Sequence, residues 1–303
     1  MDNALIAVFA LLVNAALGGP RSLYEASGLI RIGRIPAKLL RDREAGYVST
    51  ERAPLLIAYA ICLAIVAGVA ASALCKDNLK FLEVVLVAAL LPVRSVFDRL
   101  LQIKTSLAAD DLASARRALE GTVWKHHVLL DAHGVARAGI ELMAVTFADK
   151  ILLPLVWYVV VGLPGLFVCK TITLMREQLP AVFNVEANVN KMLLFIPAVL
   201  AWVVSRLASM VWIVATVFIS SVDIGTLLGK FAGRITALSA LPYLIFSVAT
   251  VMGLSLAGPT SAYVAHEWLG DGSPKPTPAD VGKALTLFGL SLLFLFLLLS
   301  LFL

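Results

Sequence analysis

The sequence predicts an all-α fold, a polytopic helical membrane protein with five to seven membrane segments. Three observations carry that expectation. Of 303 residues, 60% are hydrophobic and only 15% charged, against about 45–50% and about 25% in soluble domains. The mean hydropathy is +0.92. Several apolar stretches approach or exceed the roughly 20 residues that an α-helix needs to cross a bilayer. The length admits two soluble domains, but this composition favours one membrane domain over 1–303.

Ala4 to Leu17 is apolar but short, so it tilts, lies partly in the interface, or extends through Gly18-Gly19-Pro20. Residues 21–52 form a polar loop rich in arginine, with an amphipathic helix expected at Gly28–Leu40. Ala53 to Cys75 is a full span. After the turn Lys76-Asp77-Asn78, Leu79 to Val93 runs back as the second arm of a hairpin. Both outer flanks carry many cations, which the positive-inside rule places in the cytoplasm.

Residues 98–148 read as a cytoplasmic helical segment. Asp110-Asp111 can cap a helix beginning at Leu112, and Leu112, Ala115, Leu119 and Val123 recur at helical spacing. A second helix is expected from Leu129 through Met143. Ile151 to Cys169 is apolar but broken by Pro154, Gly162, Pro164 and Gly165, so it either spans or is re-entrant among other helices. Lys170 to Lys191 reads as a polar linker. Met192–Ser221, Leu238–Ala257 and Ala284–Leu303 are further spans, with a Gly/Pro-rich loop over Gly258–Asp280.

Net charge is +5 and the isoelectric point about 9.2. With no aromatic-plus-basic module, the excess reads as loops beside lipid and not as nucleic-acid binding. The partner that this composition implies is a lipid bilayer. Cys62, Cys75 and Cys169 are an odd set without a CxxC pair, which suits packing better than disulfides or zinc. Met1-Asp2-Asn3 lacks the basic flank of a cleaved signal.

Few residues suggest chemistry. Arg206 lies inside a span, where an ionisable group is costly and by default functional, unless it snorkels. His126, His127, Asp131 and His133 fall close together but lack zinc-ligand spacing, and no metal site is assigned. Asp149-Lys150 looks like an anchor at the mouth of an apolar segment. Glu141 sits on an otherwise apolar helix and needs a partner, with Arg137 at i−4 the nearest. Phosphate-binding and dinucleotide-binding loops are absent from the sequence.

Further segments form a set: Leu17-Gly18-Gly19-Pro20, Arg94-Ser95-Val96-Phe97-Asp98, Asp111 to Leu119, Leu130-Asp131, Val135 to Glu141, Asp149, Pro154-Leu155, Trp157, Gly162 to Gly165, Lys170, Ile196-Pro197-Ala198, Gly258-Pro259, Tyr263, Leu269 to Gly272 and Thr277 to Asp280. Together these segments resemble the CobD/CbiB family of cobalamin biosynthesis, which implies a corrinoid substrate and leaves room for a partner membrane protein complex. The resemblance implies a multi-pass protein of the bacterial inner (cytoplasmic) membrane. Its activity would be amide attachment of aminopropanol, or its phosphate, to adenosylcobyric acid, dependent on ATP and Mg. On that footing Asp98, Asp131, Glu141, Asp149 and Lys170 are the catalytic candidates that survive.

Several polar motifs depart from the family's. Gly-Arg-Asp-Thr becomes Trp124-Lys125-His126-His127. Ala-Glu-Asn-x-x-Asp-Gly becomes Ala144 to Lys150, and the polar run after the lysine becomes Thr173 to Gln178. The paired aspartate becomes Asn190-Lys191, and a Pro-rich His/Asn motif shrinks to Pro242. Magnesium favours carboxylate oxygens, and phosphoryl chemistry depends on charge neutralisation. Three functions follow as expectations: an active synthase, a catalytically inactive relative serving as a membrane subunit or regulator, and a small transporter.

Overall fold

The computed structural model describes residues 2–18, 53–75, 79–120, 127–182, 187–218, 224–234, 239–264 and 267–301, without side chains at 53, 54, 56, 127, 174–200 and 224. The expected helix at Gly28–Leu40, the turn at 76–78, and the segment carrying Trp124, Lys125 and His126 lie outside them. The described residues are almost wholly helical, as the composition predicts. Two antiparallel two-residue strands, β1 (Leu256–Ala257) and β2 (Trp268–Leu269), are the exception.

Among the described residues, three helical runs are long and apolar enough to cross a membrane: Ile57–Leu74, Ala132–Val161 and Pro278–Ser300. Four shorter apolar helices join them, at Asn3–Leu17, Leu163–Thr173, Ala201–Thr216 and Ala240–Met252. Only 11% of the Ile57–Leu74 window is buried. A helix so apolar and so exposed requires lipid around it.

The chain packs as two compact units. The first contains α1 (Asn3–Leu17), α2 (Ala53–Leu74), α3 (Lys80–Leu90), α7 (Leu153–Val161) and most of α8 (Leu163–Val182). Here α1 lies on α3 and α7, and α2 lies along α8. Gly68 makes the α2–α8 approach possible: a Cβ there would run into the Pro164 Cα and come within 2.8 Å of its N. Pro92 ends α3 and has no N–H to offer the Ala88 carbonyl one turn back. The fully buried Asn14 supplies the replacement, donating from Nδ2 to the Ala88 and Leu91 carbonyls at 2.7 Å each.

The second unit contains α4 (Val93–Ala108), α5 (Leu112–Arg117), α6 (Ala132–Val145), α9 (Ala187–Thr216) from Ala201 onward, α10 (Ile224–Arg234), α11 (Ala240–Met252), both strands and α12 (Pro278–Ser300). Helix α4 buries Val93, Val96, Leu100, Ile103 and Leu107, an i, i+3, i+4 stripe. It packs against α12, α5 and α6. The core includes Phe147, whose ring lies 5.8 Å from Trp212 and 6.2 Å from Phe288.

Several expected boundaries move. The helix after Asp131 does not stop near Met143. It continues through a π-helical turn, Thr146–Leu152, directly into α7. Pro154 would clash with the carbonyl four residues earlier, and the wider π turn absorbs the mismatch. Asp149 and Lys150 therefore lie inside a continuous helical run and not at its mouth. Gly162, at φ +79°, ends the run. The expected linker at Lys170 is helical to Val182, and α9 begins at Ala187. Helix α12 starts at Pro278 and not within the apolar run, because Thr277 and Asp280 form a reciprocal capping box.

Candidate functional site

A group of buried polar side chains in the second unit gathers between α6 and the 254–277 loop. Every residue of α6 from Gly134 to Val145 is buried, including Arg137 and Glu141. Spaced four apart, these two share a helix face. The sequence makes Arg137 the natural partner of Glu141; the two charges do act on one another, but the fold sends the hydrogen bonds of both elsewhere. The Glu141 carboxylate accepts the backbone N–H of Ala257 at 2.8 Å through Oε1 and the Ser261 hydroxyl at 2.6 Å through Oε2. Ser261 Oγ accepts in turn from the N–H groups of Tyr263 and Val264, each at 3.2 Å. Arg137 donates to Thr260 Oγ1 at 3.1 Å and to the Pro274 carbonyl at 2.6 Å, and stacks 4.7 Å from the Trp268 ring centroid. Its Nε is buried without a partner.

The backbone of the loop is shaped to meet this face. Ala257 and Gly258 have φ of +64° and +83°, a left-handed pair in which only glycine is at ease. A Cβ at Gly258 would press on the Trp268 ring at 2.9–3.0 Å. His133 Nδ1 lies 3.0 Å from the Pro276 carbonyl. The result is a closed network in which a carboxylate, a guanidinium and an imidazole on one helix hold a loop more than 100 residues away. A buried carboxylate with two strong donors is fixed in place, and its protein neighbours occupy both oxygens.

The other sequence candidates make hydrogen bonds and ion pairs of their own, and Asp131 also acts electrostatically on Arg137. Asp98 forms a half-exposed i, i+4 pair with Arg94 at 2.9 Å. Asp131 caps α6, its Oδ1 accepting the Gly134 N–H at 2.7 Å. Asp111 caps α5 as expected, accepting the Ser114 N–H at 2.9 Å. Hydrogen bonds from the Ser114 side chain and backbone hold its carboxyl below the usual range. In the first unit, Asp149 is buried within the π turn. Lys170 is buried and donates to the Leu90 carbonyl at 2.8 Å, where the broken end of α3 exposes acceptors.

The cations of the helical segment also serve backbone acceptors. Arg99 reaches the Ala118 and Glu120 carbonyls, and Arg116 the Leu130 carbonyl. Arg206 is buried between the rings of Trp202 and Tyr243, at 4.3 and 4.2 Å. Among the described residues, no three His, Cys, Asp or Glu side chains are grouped closely enough to hold a metal ion. Of the histidine cluster, Asp131 and His133 are engaged as above. None of the three cysteines is joined in a disulfide; Cys62 is exposed and the other two are buried.

Sequence reasoning missed Thr260, Ser261 and Trp268. A Thr-Ser pair after a Gly-Pro turn is ordinary loop composition, and its importance arises only from what it faces.

Comparison with known proteins extends this picture. The family model described as CobD/Cbib protein matches residues 7–288. The cobalamin biosynthesis protein CobD of Rhodobacter capsulatus is 28% identical over 307 residues, covering 95% of this chain and 93% of the relative. Its counterpart in Sinorhizobium fredii is 30% identical over 175 residues, 55% of this chain and 53% of the relative. That of Rhizobium meliloti is 40% identical over 89 residues, 29% and 27% of the two chains. No solved structure matches this chain. The α6 face and the loop it grips both lie in the matched region, and with the match extending over nearly the whole chain, the chain belongs to the CobD/CbiB family of cobalamin biosynthesis.

Proposed function

We propose that this chain is a catalytically inactive relative within the family, a membrane subunit or regulator beside a partner in the bacterial inner membrane. The observation that carries this reading is Glu141: its carboxylate is wholly buried and both oxygens are taken up by Ala257 and Ser261. Asp98, Asp131 and Lys170 have comparable local duties, as an ion-pair member, a helix cap and a carbonyl donor. In this reading the family positions persist because the fold uses them, while the divergent motifs no longer supply the polar groups of the chemistry.

A second reading has its own support in the match over 95% of this chain to a cobalamin biosynthesis protein. There the chain attaches aminopropanol or its phosphate to a corrinoid carboxyl as an amide, using ATP and Mg, with Asp98, Asp131, Glu141, Asp149 and Lys170 at the site. Complementation of a strain lacking the cobinamide synthase separates the two. Verified membrane expression without corrinoid-dependent growth is expected, together with co-purification of a partner in mild detergent. Growth restored by this gene would overturn the inactive reading, and recovery of the chain alone would count against the subunit role.

A further inference from the structure

A second feature of the second unit borders the same loop but includes no residue of α6. A cavity of about 320 Å³ opens between the end of α9, α10, the end of α11 and the start of α12. It lies at the lower end of the ~300–1,000 Å³ range of small-molecule sites. Its two ends differ chemically. Toward the loop stand Lys230 and Lys283, both part-exposed. The buried part of the lining includes Leu227, Val251 and Leu287 together with Thr216, whose hydroxyl is taken up by the Trp212 carbonyl.

We propose that this cavity binds one anionic phospholipid, with its phosphate on Lys230 and Lys283 and an acyl chain along Leu227, Val251 and Leu287.

Three observations argue for that occupant. The first is position. Helix α12 is a candidate span from Pro278 to Ser300, and Lys283 lies little more than one turn from its start, the depth at which a lysine reaches a headgroup layer. The second is the state of the ammonium groups. Lys230 donates to Asp271 Oδ2 at 2.8 Å and Lys283 to Asp280 Oδ1 at 3.1 Å. Each thereby uses one of three N–H donors, and exposed pairs of this kind hold a lysine only weakly. The third is the charge around the mouth. Arg234 acts on Asp271 electrostatically, and the Lys104 side chain lies against Gly282. Lys230 and Lys283 line the cavity itself, while Arg234 and Lys104 stand beside it without lining it. A free phosphate would leave the apolar end unused, and a zwitterionic lipid would gain less from the excess positive charge.

The test uses the purified full-length protein in mild detergent, with dioleoylphosphatidylglycerol, dioleoylphosphatidylcholine or inorganic phosphate added. The phosphatidylglycerol is expected to be retained at about one equivalent and to raise the unfolding midpoint. The K230Q/K283Q variant should lose that retention by about tenfold or more, while its midpoint in phosphatidylcholine stays that of the wild type. Lys275→Gln, in the exposed loop, should retain phosphatidylglycerol normally. K230R/K283R should retain it too, which separates lost charge from lost fold. Equal retention of both lipids by the wild type would overturn the proposal. So would undiminished retention by K230Q/K283Q, or an equal rise with inorganic phosphate, which would mark a free-anion site.

Discussion

Asp131 and Glu141 are both acids at family positions, yet they invite different substitutions. As an N-cap, Asp131 needs only a side-chain oxygen, and asparagine caps as well as aspartate. D131N should therefore leave the thermal unfolding midpoint in detergent near that of the wild type. D131A should cost about 1 kcal/mol. A large loss in D131N would point to a charge-dependent role. Glu141 is less forgiving, because it accepts from the buried Ala257 N–H and the half-buried Ser261 hydroxyl, and Ser261 is already an acceptor for two backbone N–H groups. E141Q puts a donor where an acceptor is required and should destabilise by about 1–3 kcal/mol, with S261A nearer 1 kcal/mol. If E141Q unfolds like the wild type, the latch on the loop is not what fixes it. Neither change requires a lost reaction to explain it. Lys230 contributes at this scale too, its hydrogen bond and charge holding the exposed Asp271 carboxyl below the usual range.

At the scale of elements, helix endings and helix contacts follow from single residues. Pro92 opens the end of α3, and Asn14 and Lys170 from two other helices close it. Gly162 stops α7, and Pro154 coincides with the π turn before it. Close approach of α2 to α8 depends on Gly68. G68V places carbon atoms against the Pro164 backbone, and should lower stability by about 1–3 kcal/mol. Gly289, inside α12, has open space where a Cβ would stand, with nothing within 4 Å. G289A should therefore raise stability by up to about 1 kcal/mol, the difference in helix propensity. Thermal unfolding of the two variants side by side in one detergent checks both signs. A stability loss in G289A matching that of G68V would remove the close-approach explanation.

For the whole molecule, membrane embedding is what α2 tests most directly. Cys62 is exposed on a helix whose window is only 11% buried. In intact membranes a charged, impermeant maleimide should leave Cys62 unlabelled. The same reagent should label it after detergent solubilisation, with the buried Cys75 and Cys169 reacting only on unfolding. Labelling of Cys62 in intact membranes would contradict a lipid-facing α2. The sequence by itself determined the solvent and the class of fold, because apolar runs of helical length have few alternatives in lipid. It also determined the local cap at Asp111, whose partner lies three residues away, and the resemblance to the family, which rests on segments read along the chain. It could not determine the helix limits around Thr146–Leu152, where a proline and a π turn trade against one another. Nor could it assign Glu141, whose neighbour Arg137 is nearest in sequence while its actual donors lie 116 and 120 residues away. Lys170 is the same case, with its acceptor 80 residues distant. Only the tertiary structure decided those partners, because hydrogen bonds reach about 3 Å and the sequence records no distances between residues remote along the chain.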